Sequence, residues 1–281
     1  MRIVLLTSSG PKYDYLASRI AERFPVAAWV RQVSAGPDRT TLAGRAAHYR
    51  ALRRRLTGQA RYRRRYFATE RANERGLEPT LSVADINDPA VARLLERTSF
   101  ELTVVCGTSL IRPPVLDTLR CAINLHAGYL PWYKGNHTVF FAYRDGAWDR
   151  LGSTVHLLDR RLDGGAVIAR VRPRLAPRDG VEQLYCRACS AGIELLVEVL
   201  TRLRSASAPV WAVPQDEPGQ MFRNADRRFR TDLAVGLARL AGAGRPPRAE
   251  QAVHWSAPVA GAVDVRSLLA GNAAPPAVGP R

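Results

Sequence analysis

The chain has 281 residues, a formal net charge of +17 and an ordinary apolar content of 46%. That length supports one sizeable core, or one core with a small appendage, and no apolar run is long enough to span a bilayer. Residues 1–7 hold a short apolar run that stops at Ser8-Ser9-Gly10-Pro11-Lys12. This is too short for a secretory leader, so the reading is a first β-strand of a cytoplasmic protein with no membrane partner.

In chain order, residues 2–7 read as a buried strand, and residues 13–24 as a helix through Leu16, Ile20 and Phe24. Residues 26–30 read as a second strand. Residues 40–75 then carry 11 arginines against Glu70 and Glu74, which is +9 of the +17. Leu42, Ala46, Tyr49, Leu52 and Leu56 recur at helical spacing there, so the segment reads as amphipathic helices with a solvated basic face. A surface for an anionic substrate or RNA is the alternative. Only Lys12 and Lys134 are lysines among the 42 basic residues, which points to a general arginine bias and weakens the charge as a sign of nucleic-acid binding.

Residues 80–83 read as a strand, and Asp88 as the N-cap of a helix with Pro89 at its first position. A strand at 102–106 ends in Gly107-Thr108-Ser109, a short helix covers 113–119, and a strand covers 122–125. A helix at 136–144 is followed by strands at 152–158 and 166–171, then by the longest helix, 180–203. A short strand at 210–213 and a helix at 229–240 complete the expected elements. Strands alternating with helices predict an α/β fold: a Rossmann-like mixed, mostly parallel sheet with helices on both faces. Three segments are expected: a catalytic domain over 1–205 with the Arg-rich insertion at 40–75, a short extension at 206–241, and a disordered Gly/Pro/Ala-rich tail at 242–281. Cys186 and Cys189 form a C-x-x-C inside the long helical pattern with no second pair, so they read as buried helix residues, and no metal site is expected.

Residues 121–168 carry the chemistry. Asn124 and His126 stand two apart at the end of a strand and so share a face. Asp163-Gly164-Gly165 follows as a turn after the next strand. An amide, an imidazole and a carboxylate meeting at one point suit acyl or formyl transfer: the imidazole moves a proton, the amide holds a developing oxyanion, and the carboxylate orients the imidazole or a water. Ligands in such folds lie beyond the carboxyl ends of the strands, where both Gly107-Thr108-Ser109 and Asn124-Leu125-His126 fall.

The run Ile123-Asn124-Leu125-His126-Ala127-Gly128-Tyr129-Leu130-Pro131, with Tyr133-Lys134-Gly135, resembles the signature of folate-dependent formyltransferases. Its second half is Gly152-Ser153-Thr154-Val155-His156-Leu157, then Leu162-Asp163-Gly164-Gly165-Ala166-Val167-Ile168. The likeness spans roughly residues 80–205 and rests on two separated motifs in the expected order. It implies a formyltransferase fold, 10-formyltetrahydrofolate as formyl donor, and Asn124, His126 and Asp163 as the catalytic set. It further implies a pterin slot built from Ser109, Leu110 and Ile111 on one side and Leu158, Asp159 and Leu162 on the other. His156 reads as a structural strand residue, and His137 as a residue facing the acceptor.

The acceptor stays open. The expected reaction is formylation of a primary amine on a small molecule. A methionyl-tRNA formyltransferase-like enzyme acting on charged tRNA and a phosphoribosylglycinamide formyltransferase are alternatives, and a non-catalytic basic binding protein is a further one. Residues 7–13 replace the Gly-rich phosphate loop of the ribonucleotide enzymes, although Ser8, Ser9 and Lys12 could touch an anion. Only about seventy residues follow the long helix, where the tRNA enzymes carry a β-barrel.

Overall fold

The computed structural model describes residues 1–33, 40–56, 58–69, 77–205 and 208–270. Its strands are β1 (Ile3–Ser8), β2 (Val26–Gln32), β3 (Leu81–Val83), β4 (Leu102–Cys106), β5 (Ala122–His126), β6 (Tyr133–Gly135), β7 (Ser153–Leu157), β8 (Val167–Arg172), β9 (Trp211–Ala212), β10 (Gln220–Phe222), β11 (Ala252–Trp255) and β12 (Val263–Asp264). Its helices are α1 (Pro11–Ala21), α2 (Leu42–Leu56), α3 (Gln59–Thr69), α4 (Pro89–Glu96), α5 (Val115–Thr118), α6 (Thr138–Arg144), α7 (Val181–Ser205), α8 (Phe229–Leu240) and α9 (Val265–Ala270).

Eight strands form the main sheet in the order β11-β8-β7-β5-β4-β1-β2-β3. The half from β3 to β5 is parallel, and β5, β7, β8 and β11 pair antiparallel. Alternation along β1 shows how the two faces are covered. Ile3 and Leu5 pack with Leu16 and Ile20 of α1 and Leu196 and Leu200 of α7. Val4 and Leu6 point the other way, to Val91 and Leu95 of α4 and Val115 and Leu116 of α5. Both faces are dry, so the parallel strands are apolar throughout rather than alternating. Asp88 caps α4, its carboxylate accepting the Ala90 N–H at 2.8 Å, with Pro89 at the first helical position.

The Arg-rich segment is a helical pair. Its second helix buries Phe67 to 1% exposure and sets it 5.8 Å from the Tyr15 ring of α1. Arg61, Arg64 and Arg65 remain exposed. The first helix departs from expectation: Tyr49 and Leu52, read as part of a packed apolar face, are exposed. Residues 70–76, with Glu70, Arg71, Glu74 and Arg75, lie outside the described residues.

The expectation of a disordered tail from residue 242 is corrected by β11, β12 and α9. Ala252–Trp255 pairs antiparallel with β8 and closes that edge of the sheet, Val265 is fully buried, and Leu268 and Leu269 pack on the main core. The Gly/Pro/Ala composition hides a four-residue strand, which is stable because β8 supplies the hydrogen-bonding partner. Residues 271–281 lie outside the described residues. Residues 208–241 also fold onto the body: β10 pairs parallel with β6, and the Phe222 ring stacks 4.1 Å from Phe141 of α6. Cys106, Cys121, Cys186 and Cys189 are buried free thiols. Burial pushes the Cys121 thiol up to about 12 and that of Cys186 higher still, which marks both as inert packing residues.

Candidate active site

A cavity of about 610 Å³ opens at the carboxyl ends of β4 and β5. It is lined by all nine candidate site residues: Asn124, His126 and Asp163, and Ser109, Leu110, Ile111, Leu158, Asp159 and Leu162. Ser109 is held by Gln32 at the end of β2, its N–H donating to Gln32 Oε1 at 2.8 Å. Leu110 and Leu162 are 40% and 45% exposed. Two large aliphatic side chains facing a cavity leave apolar surface uncovered, the complement of a flat ring. Asp159 is tied to Arg161 at 3.0 Å.

The strand register explains the centre. β5 and β7 pair antiparallel with Asn124 opposite His156 and His126 opposite Thr154, so Asn124, His126 and His156 share one face. Asp163 reaches them from the following turn in a left-handed conformation (φ 51°). Its Oδ1 lies 3.3 Å from His126 Nδ1, and its Oδ2 accepts the Gly135 N–H at 2.7 Å. Gly135 is required there: its φ is +84°, and a Cβ would sit 2.2 Å from the Phe222 carbonyl. His126 Nε2 lies 3.0 Å from the Tyr133 carbonyl. Both neighbours of this ring, the Asp163 carboxylate and the Tyr133 carbonyl, are hydrogen-bond acceptors.

His156, read from the sequence as a structural strand residue, is buried on β7, and there it also holds Asn124. Its Nδ1–H donates to the Leu157 carbonyl at 2.8 Å, which leaves Nε2 as an acceptor for the Asn124 amide N–H at 2.9 Å. This fixes the His156 tautomer and the sense of the Asn124 amide together. One amide N–H of Asn124 is used and the second is available to a ligand oxygen. Burial, with a smaller opposing pull from Asp163, draws the His156 pKa down to about 4, so the ring is neutral. The Asp-Gly-Gly turn is stitched from outside the motif: the Gln215 amide donates to the carbonyls of Asp163 (2.9 Å) and Gly165 (2.7 Å). A Cβ at Gly165 would lie 1.8 Å from the Leu157 carbonyl, which is why the turn needs its second glycine.

The same cavity also has basic side chains on its wall. Lys12, Arg63 and Arg227 line it together with Tyr13, Tyr185 and Asn224. Lys12 Nζ stands 4.5 Å from the Tyr13 ring centroid and 5.8 Å from that of Tyr185. Burial opposes its charge, while Tyr13, Tyr185, Cys189 and Cys106 around it favour the charged form, and its pKa is raised well above the ordinary lysine value. Arg63 stacks 3.9 Å over Tyr185 and pairs with Glu182. The second lysine, Lys134, lies between Tyr133 and Gly135 on β6, and burial, with Arg161 nearby, lowers its pKa against the pull of Asp163. Among the described residues no cluster has the make-up of a metal site.

A model of the formyl transferase family matches residues 50–200, more than half of the chain. The chain belongs to the formyl transferase family. It is 31% identical over 140 residues to a methionyl-tRNA formyltransferase of Chlorobium chlorochromatii, covering 50% of this chain and 44% of that one. It is 36% identical over 126 residues to the methionyl-tRNA formyltransferase of Burkholderia orbicola, covering 44% and 38%. The matched segment is thus under half the length of either relative. Solved structures share the fold: a sugar N-formyltransferase from Shewanella (TM-score 0.53, 16% identity, 84% of this chain and 86% of that one) and a 4-N formyltransferase from Francisella tularensis (TM-score 0.52, 13% identity, 83% and 86%). The α/β fold read from the sequence is therefore the formyltransferase fold, and the family's formyl donor is 10-formyltetrahydrofolate. No helix among the described residues is long and apolar enough to cross a membrane.

Proposed function

We propose that this chain transfers the formyl group of 10-formyltetrahydrofolate to a primary amine on a small, anionic acceptor. The observation that carries this reading is the lining of one cavity, which brings apolar side chains, Lys12, Arg63 and Arg227, and Asn124, His126 and Asp163 to one space. The donor supplies an activated formyl group when bound. Leu110, Ile111, Leu158 and Leu162 would flank its pterin ring, with Ser109 and Asp159 providing polar contacts at the rim. The free N–H of Asn124 is the donor for the carbonyl oxygen as negative charge develops on it, and His126 Nε2–H becomes a second once it leaves the Tyr133 carbonyl. Asp163 orients His126, and its carboxylate accepts the proton that the attacking amine sheds and returns one to the donor nitrogen as the bond from that nitrogen to the formyl carbon breaks.

Lys12, Arg63 and Arg227 select the acceptor by charge under this reading. The test is turnover of 10-formyltetrahydrofolate with a panel of primary amines, half bearing phosphate or carboxylate groups and half neutral. Anionic amines are expected to lead by about tenfold or more in kcat/KM, and Lys12→Met is expected to erase that preference while leaving donor affinity unchanged. Equal turnover of neutral amines would contradict the anionic assignment. Charged tRNA is the second reading, motivated by the +17 charge and by the matched methionyl-tRNA formyltransferases. Formylation of aminoacyl-tRNA with a steep salt dependence would favour it over a small acceptor.

A further inference from the structure

Helix α8 is docked with its apolar side outward. Phe229, Leu233, Leu237 and Leu240 fall on one narrow arc at helical spacing, and they are 62%, 48%, 55% and 85% exposed. The opposite side holds the helix to the protein. Asp232 pairs with Arg227 at 2.8 Å, Arg239 donates to the Arg178 carbonyl at 3.0 Å, and Val235 packs beside the α6 cluster. A surface helix ordinarily turns its apolar stripe to the core, so one that presents it to solvent is built for contact with another molecule. The stripe continues onto α2. The Tyr49 ring meets Phe229 edge-on, centroids 6.1 Å apart, and Tyr49 and Leu52 are themselves exposed.

Exposed arginines border this patch. Arg228 and Arg230 border the stripe on α8, and Arg45 and Arg55 are exposed on α2. A second copy of the chain would bring like charge against like charge. An RNA ligand would use the arginines, but phosphates and base edges offer little to four exposed leucine and phenylalanine side chains. An acidic partner with an apolar ridge satisfies both features. The position is also informative: Asn224 and Arg227 of the cavity wall lie immediately before α8, and Gln59 and Arg63 open α3 immediately after α2.

We propose that the outward face of α8, with Tyr49 and Leu52 of α2, docks an acidic protein that lays an apolar helix beside the part of the cavity wall formed by Asn224 and Arg227. The test is independent of catalysis. A fluorescent amphipathic peptide with leucine at helical spacing and glutamate elsewhere is titrated against the full chain by anisotropy. A scrambled peptide of identical composition and a single-stranded RNA oligonucleotide serve as alternatives. Micromolar binding of the amphipathic peptide is expected, weakened about tenfold or more by scrambling and by the double change Leu233→Asp and Leu237→Asp. Both changes fall on exposed positions, and an unchanged thermal melt verifies the fold. Arg230→Glu is expected to weaken binding and flatten its salt dependence. The proposal is overturned if the scrambled peptide binds equally, or if RNA binds and the leucine changes leave its affinity intact. It is also overturned if sedimentation shows a dimer that the same leucine changes dissolve, since a second copy would then own the face.

Discussion

Asp163→Ala is expected to lower kcat by about 10³-fold or more while leaving donor affinity near that of the parent protein. Loss of the carboxylate removes the partner 3.3 Å from His126 Nδ1 that orients the ring. Orienting carboxylates in acid–base sites carry effects of about 10⁴-fold. Asp163→Asn separates charge from shape. The amide can still accept the Gly135 N–H now received at 2.7 Å, so the turn persists, but the charge is gone. Single-turnover kinetics on the two variants is the measurement. Similar losses in both assign the effect to charge; a loss confined to Asp163→Ala assigns it to the turn.

His156→Phe is expected to lower kcat by about 10- to 100-fold, without the ring touching substrate. Phenylalanine keeps the buried volume but offers no acceptor to the Asn124 amide, whose N–H now lies 2.9 Å from Nε2. His156 is a positioning residue on this account, and two readouts set it apart from a packing role. His156→Gln, which restores an acceptor, recovers part of the activity. The second readout is the pH dependence of stability. The folded pKa of about 4 lies below the ordinary histidine value near 6.5, so below pH 6.5 the unfolded chain takes up a proton that the folded one refuses. Stability tied to the neutral ring is complete above pH 6.5 and drains away as pH falls toward 4, by on the order of 3 kcal/mol. Denaturation of the parent protein across that window should therefore steepen relative to His156→Phe. Parallel curves would remove the neutral, buried imidazole from the account.

The contrast between Asn124 and His156 shows what a sequence can disclose about such a site. Asn124 and His126 are legible from their two-residue spacing at a strand end, and Asp163 from a turn that needs Gly165. His156 is legible only once β5 and β7 are known to be antiparallel with residue 124 opposite 156, because its role lies in the pairing and not in its own neighbours. Gln215 is further removed: it holds the Asp163 turn from about fifty residues downstream, and no local pattern announces that. The periodicity of α8 gives its residues correctly, but periodicity identifies an apolar arc and not the side on which the body lies. β11 is overlooked for a related reason: a short strand owes its existence to the edge of β8, and its composition alone reads as tail.

The most direct test of the account is calorimetric titration of 5-formyltetrahydrofolate, a stable donor analogue, into the parent protein, Leu110→Asp and Asn124→Ala. Leu110 is exposed on the cavity wall, so an aspartate there changes the slot and spares the core. Saturable micromolar binding is predicted for the parent protein and for Asn124→Ala, with loss in Leu110→Asp. Absence of saturable binding, or binding indifferent to Leu110→Asp, would contradict a folate slot in this cavity and the formyl transfer built upon it.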